Sequence, residues 1–230
     1  MNRIVPVGAL DLRVSDDEWA FARDHRPGID RHWQAIMAER PSLWNGEVLL
    51  CNRAAVDGGH FTATLVKSDF ASFIAWRDWG RPDATVRNCF AVPAVFSSDG
   101  ALLFGEMNGW TLNAGKSYPP SGSLEPKDVA GDGRVDVLGS MRTELREETG
   151  LDLADARAGE TVVIFEGPRL AIVQRYDFDL DFSGMQELFA VHAAREDNPE
   201  LSSIEAVRNI SQIDSRMPGY AQDIIRYFLG

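Results

Sequence analysis

Cysteine is nearly absent: Cys51 and Cys89 are the only two in 230 residues. Each stands in an apolar, strand-like stretch, which excludes a disulfide framework and predicts a pair of reduced core thiols. Histidine is scarce as well. His25, His32, His60 and His192 show no metal-ligand spacing, and no function is assigned to them. No apolar run approaches the roughly 18 residues that span a bilayer, and no basic stretch followed by an apolar one opens the chain. A soluble, cytoplasmic protein is therefore expected. Positive charge is in deficit, with 23 Lys and Arg against 35 Asp and Glu, for a net charge of -12. That balance argues against nucleic acid, whose binding relies on cations neutralising phosphates, and against anionic membranes. It leaves a nucleotide substrate open, because a bound metal inverts the local field. Internal repeats and low-complexity tracts are missing too.

What is there concentrates in Thr143-Glu144-Leu145-Arg146-Glu147-Glu148-Thr149-Gly150-Leu151. Read as helix, Glu144, Glu147 and Glu148 fall within an arc of roughly 100° on one face. Like charges at that spacing repel, and they sit in the last turn, where the helix dipole favours cations. Such crowding makes sense beneath a hard divalent cation, since Mg²⁺ takes carboxylate oxygens in an octahedral shell. Leu138, Met141 and Leu145 recur at i, i+3, i+7 and predict an apolar stripe about 100° around from the acidic arc. Gly150 suits a left-handed stop, with Leu151 folding back on Leu145. The plain alternative is a solvated acidic helix end.

Upstream lies Gly122-Ser123-Leu124-Glu125-Pro126-Lys127-Asp128. With this segment the chain resembles the Nudix family, whose box reads G-x5-E-x7-R-E-U-x-E-E-x-G-U, U being a bulky aliphatic. Gly122 matches the first glycine; Glu144-Leu145, Glu147-Glu148 and Gly150-Leu151 match the second half. The resemblance implies a loop–helix–loop that holds Mg²⁺ or Mn²⁺ and hydrolyses the diphosphate of a nucleoside diphosphate derivative. Three departures stand out. Asp128 replaces the family's glutamate, fourteen residues separate Asp128 from Thr143 where the family has seven, and Thr143 takes the place of the box arginine. The extra segment, around Ala130-Gly131-Asp132-Gly133-Arg134, is expected to bulge out before a helix that starts near Val135 to Val137. Loss of the arginine predicts a less firmly held metal site. A weakly catalytic or purely nucleotide-binding sensor domain is the alternative.

The rest of the chain suits an α/β protein, a Nudix-type α/β/α sandwich around a mixed sheet over 86–230, with an N-terminal α+β extension over 1–85. Helices are expected from Trp19 toward His25, over Asp30 to Arg40, through Ala71 to Trp76, and over Tyr220 to Leu229. Strands are expected at Glu47 to Cys51, Phe61 to Val66, Cys89 to Phe96, Ala101 to Phe104, Thr161 to Phe165, Leu170 to Phe178 and Gln186 to His192. Pro93 points to an edge or a bulge. Arg81-Pro82-Asp83 is the expected boundary.

Glu144, Glu147 and Glu148 are the expected metal ligands, with Asp128 as an auxiliary one. Glu144 and Glu147 are also the catalytic candidates. The resemblance places a base in the box or on a later loop, where Glu196, Asp197, Glu200 and Glu205 are the candidates. Lys116, Gly122 and Arg87 are candidates for contacting a small-molecule nucleotide substrate. Arg77, Arg81 and Arg87, near the boundary with Trp76 and Trp79, read either as a base- or phosphate-clasping group or as a packed seam between the two parts. The N-terminal part is expected to shape the substrate pocket or a dimer interface. The layout, an extension ahead of a lengthened box, resembles the branch of the family that acts on UDP-sugars.

Overall fold

The computed structural model describes residues 2–41 and 43–230. In chain order its elements are β1 (Arg3–Val7), β2 (Ala9–Val14), α1 (Ala20–Asp24), α2 (Arg26–Glu39), β3 (Glu47–Asp57), β4 (His60–Asp69), α3 (Phe70–Asp78), β5 (Arg87–Phe96), β6 (Leu102–Met107), β7 (Ser117–Tyr118), β8 (Gly122–Ser123), α4 (Val137–Thr149), β9 (Ala156–Glu166), β10 (Arg169–Phe178), α5 (Phe182–Ala193), β11 (Leu201–Val207) and α6 (Gly219–Leu229). The strands form one mixed sheet in the order β1-β9-β10-β5-β3-β4-β2, with β6, β7, β8 and β11 attached off that path. Pairs β5–β10 and β2–β4 are parallel, and the remaining pairs are antiparallel. No helix among the described residues is long and apolar enough to cross a membrane.

Alternation along β3 shows how the sheet buries both faces. Val48 and Leu50 join a cluster with Trp19, Ile29, Ile74 and Trp76, whereas Leu49 and Cys51 face the main core with Phe61, Leu65 and Val92. A strand period of two sends neighbours to opposite sides, so helices α1 to α3 cover one face while the main core fills the other. The β3–β4 turn is Gly58-Gly59, both with positive φ, as a two-residue hairpin whose central pair is left-handed requires. Cys51 and Cys89 are buried free thiols, and burial pushes Cys51 up to about 11.

Pro93 sits inside β5, opposite Gln174 of β10. On its other side β5 meets Leu50 and Cys51, then Gly122 and Ser123, then Leu102. Pro93 falls between the second and third of these, where that edge has no ladder and the missing N–H costs nothing. The strands β1 and β2 were not expected from the sequence. Leu10, Leu12 and Val14 alternate there, but the run is short and interleaved with charge.

The expected strand over Gln186 to His192 is corrected: it lies in helix α5. Leu188-Phe189-Ala190-Val191 is a continuous apolar run, and such a run does not by itself distinguish strand from helix. The buried positions are Phe182, Met185 and Phe189, at helical spacing, while Leu188 and Val191 are exposed. Asp181 caps the helix by accepting from the Gly184 N–H at 2.8 Å.

The segment around Ala130 to Arg134 bulges out before α4 as expected but does not stand free. Val14 N–H donates to Gly133 O at 3.1 Å and Val135 N–H donates to Leu12 O at 2.9 Å, so the segment is stitched to β2.

Asp99, in the turn before β6, gathers three elements. It accepts from Ser97 Oγ at 2.6 Å, from the Phe182 N–H at the start of α5 at 3.0 Å, and from Arg208 after β11 at 2.6 Å. The Ser97 hydroxyl, then Arg208 and the amide, hold its carboxyl below the usual range. A depressed folded pKa contributes stability above the unfolded pKa and loses it as pH falls toward the folded one. Asp99→Asn should therefore flatten the stability–pH slope below about pH 4 in urea titrations, compared with the unaltered chain. The helical assignment of α5 makes a separate claim: Phe189→Ala should cost about 3–5 kcal/mol and Leu188→Ala less than about 0.5 kcal/mol in the same titrations. Equal costs would sink it.

Candidate active site

Helix α4 starts at Val137, where Asp136 accepts from the Gly139 N–H at 2.9 Å. Its buried face is Val137, Ser140, Met141, Leu145, Glu148 and Thr149. The expected stripe is thus shifted by one position at its start: Leu138 is 43% exposed and Val137 replaces it. The stop is as the sequence predicts. Gly150 has φ 77 and Leu151 is buried. The Leu151 N–H donates to Thr149 Oγ1 at 3.2 Å, and His192 Nε2 lies 2.8 Å from Glu147 O. His192, to which no role was assigned from the sequence, caps the helix end from α5.

The rotation of α4 separates the three glutamates. Glu148 is buried, 7% exposed, on the face of Met141 and Leu145 rather than about 100° around from it. Its Oε1 accepts from the Ser121 N–H at 3.3 Å, while its Oε2 is buried with no hydrogen-bond partner. Burial first, then Glu200 and Glu144, push its carboxyl well above the usual range. Glu144 is half-buried beside Gly122 and is pushed up to about 7, mainly by burial, with Lys127 opposing. Glu147 is exposed on the rim.

Gly122 has a steric reason to be glycine. It pairs with Ala91 of β5 while the Glu144 carboxyl group lies over it, and a Cβ there would overlap that group. Lys127 Nζ lies 3.9 Å from Glu144 Oε1 and 3.2 Å from Glu125 Oε2, and it also feels the charge of Glu147. Thr143 itself is half-buried.

Glu144 and Glu148 open into a cavity of about 450 Å³ that also contains Glu125, Glu200, Lys116 and Gly122. Asp128, Glu147 and Arg87 do not line it. Asp128 accepts from the Glu125 N–H at 2.9 Å and so fastens the turn ahead of the insertion. Arg87 pairs with Cys51 at the start of β5. Among the base candidates, Glu205 is tied to Arg216 at 2.8 Å and to Ser117 at 2.8 Å. Glu196, Asp197 and Glu200 are exposed, and of the three Glu200 also lines the cavity. Partial burial at the cavity wall, then the charges of Glu147 and Glu196, push the Glu200 carboxyl up. Among the described residues, no three acidic, histidine or cysteine side chains already converge around one ion. The cavity also takes in Trp76, Arg77, Arg81, Phe70 and Phe73 from the first 85 residues, which the sequence could pair with the acidic helix only through the tertiary fold.

No family model matches the chain, and no curated protein does. Among solved structures it is similar to the MutT protein from Methanosarcina mazei Go1, at 17% identity, over 62% of this chain and 92% of that one, with a TM-score of 0.42. A bifunctional NMN adenylyltransferase/ADP ribose pyrophosphatase from Francisella tularensis is similar at 20% identity, over 67% of this chain and 44% of that one, with a TM-score of 0.45. A Nudix hydrolase from M. smegmatis, RenU, is similar at 12% identity, over 60% and 82%, with a TM-score of 0.39. At these values the site stands on its own geometry.

Gly122→Ala should drive the Glu144 carboxyl group from its seat. Stabilisation of the protein by Mg²⁺ or Mn²⁺, read as a thermal shift, should weaken by about tenfold or more in apparent affinity. Gly131→Ala, whose Cβ meets nothing within 4 Å, should leave it unchanged.

Proposed function

We propose that this chain is a Nudix-type pyrophosphohydrolase that hydrolyses the diphosphate linkage of a nucleoside diphosphate derivative with Mg²⁺ or Mn²⁺ as cofactor. The observation that carries the reading is the buried, unpartnered Oε2 of Glu148 beside Glu144. An unpartnered buried oxygen costs about 1–3 kcal/mol, more when charged, and a hard divalent cation would satisfy it. The donors fit in type, since carboxylate oxygens suit Mg²⁺ and Mn²⁺. Glu144 and Glu148 would hold the ion from the cavity, Glu147 from the rim, and Asp128 would position the loop. Bound there, the ion would neutralise phosphate oxygens and acidify the attacking water.

The residues supply the remaining work. Water adds to one phosphorus while the bridging oxygen leaves with the other phosphate, and the water's proton needs an acceptor. Glu200, aimed into the cavity and pushed upward, is suited to take it. Lys127 restrains Glu144, taking over from the arginine that Thr143 replaces. The extension over 1–85 supplies the aromatic and arginine wall that receives the rest of the substrate, and 86–230 supplies the carboxylates. The layout favours a nucleoside diphosphate sugar.

Incubation with Mg²⁺ and a panel of NDP-sugars, ADP-ribose, dinucleoside polyphosphates and dNTPs should release phosphate monoesters from at least one class. Glu148→Gln and Glu147→Gln should each lower turnover by on the order of 10²-fold with the fold intact by circular dichroism. Nucleotide-induced stabilisation without turnover would instead favour a sensor. No divalent-dependent stabilisation at all would reduce the acidic helix to a structural feature.

A further inference from the structure

The cavity is bipolar, and the hydrolysis proposed above takes place at its acidic end. At the other end Arg77, Arg81 and Arg169 share one wall. Arg77 Nε lies 2.9 Å from Asp78, and Arg169 Nη1 lies 3.0 Å from Glu166. The Arg81 guanidinium has no hydrogen-bond or salt-bridge partner among the described residues, so three guanidiniums face two carboxylates. Its guanidinium stands 5.8 Å from the centre of the Trp76 ring, which the bond from Trp76 Nε1 to Asp83 O at 2.8 Å holds in place. Burial and the two neighbouring arginines lower the pKa of Arg81, as expected for a cation in want of an anion.

The backbone carries a second sign. Arg81 has φ 59, the only positive φ outside glycine among the described residues. Helix α3 ends in a two-bond closure, with Gly80 N–H donating to Arg77 O at 3.2 Å and Arg81 N–H to Trp76 O at 2.8 Å. The left-handed residue needed for that stop is Gly80. A second left-handed residue, and a bulky one, is strain that the stop does not demand, and it aims Arg81 into the cavity.

Register gives the spacing. Arg169 lies opposite Asn88 of β5, and Gly122, beneath Glu144, lies opposite Ala91. Three residues separate the two ends by roughly 10 Å along β5. Asn88 and Phe90, on one face of β5, line the cavity between them. That leaves room for a sugar ring.

The geometry points to an oxyanion subsite centred on Arg81, with Arg77 and Arg169 beside it. It receives a second anionic group, a phosphate monoester or a carboxylate, at the end of the substrate remote from the scissile diphosphate. The assignment of the remote end rests on the diphosphate reading of the acidic end. Arginine's planar fork donates to either oxyanion in a bidentate manner.

The test begins without divalent ions, so that it does not depend on hydrolysis. Inorganic phosphate and glucuronate are titrated against the full chain, with glucose as the neutral control. Phosphate or glucuronate should raise the melting temperature and glucose should not; the stronger of the two identifies the group. Arg81→Gly removes the guanidinium and the backbone strain together. It should melt no lower than the unaltered chain, yet bind the oxyanion at least about tenfold more weakly. Arg53→Ala, an exposed change of equal charge, should bind as the unaltered chain does. Where the panel shows turnover, Arg81→Gly should raise KM about tenfold for substrates with an anionic remote end and less than about twofold for neutral ones. Unchanged oxyanion affinity in Arg81→Gly, no stabilisation by either anion, or equal KM losses on both substrate kinds would overturn the subsite. Failure of every substrate to turn over would overturn the hydrolase reading, while the anion titration would still decide this one.

Discussion

The site depends on forcing two carboxylates, Glu144 and Glu148, out of water on one side of a helix. Glu148 goes under because it shares the inner face of α4 with Val137, Met141 and Leu145, so burying those apolar groups drags the carboxylate with them. Burial of charge is costly, and like charges nearby make it worse. The backbone of Ser121 and the side chain of Lys127 relieve part of this, and one oxygen of Glu148 is left without a partner. The apolar packing of α4 thus holds the carboxylates in a state that isolated side chains would leave, which is what preorganisation for an ion requires.

The short strand β8 makes that packing into a site. Its pairing with β5 brings Gly122 beneath Glu144 and Ser121 beside Glu148. The same central strand carries Arg169's register partner, so β5 sets the distance between the acidic and basic ends of the cavity. A shift of one residue in either pairing would move a whole set of side chains to the opposite face.

Much of this was legible in the chain. The acidic spacing and the glycine stop are local patterns, and so are the long strands with a period of two. Helix α5 was misread because four consecutive apolar residues fit either period, and only their burial separates Phe189 from Leu188. That Glu148 shares the apolar face was not legible, because Leu138 fitted the stripe as well as Val137 did. Asp128 and Lys127 lie in one turn, yet which would face Glu144 depended on the path of the insertion. Arg81 and Trp76 were visible as a cluster, but their place opposite the acidic helix comes from β3 and β10 flanking β5, which is a long-range fact.

The edge strand β1 has a consequence for how the polypeptide assembles. Arg3 to Val7 pair with Thr161 to Phe165, so β1 must wait for a partner made more than 150 residues later. The parallel pair β5–β10 closes a loop of similar kind. Closing such loops is entropically slow, and contacts between distant segments delay the final step of folding. The hairpin β3–β4 with helix α3, which closes through neighbouring residues, is the natural seed. Registration of β1 then becomes the last event, and a ribosome-bound intermediate would leave that strand unpaired and open to capture by another chain's edge.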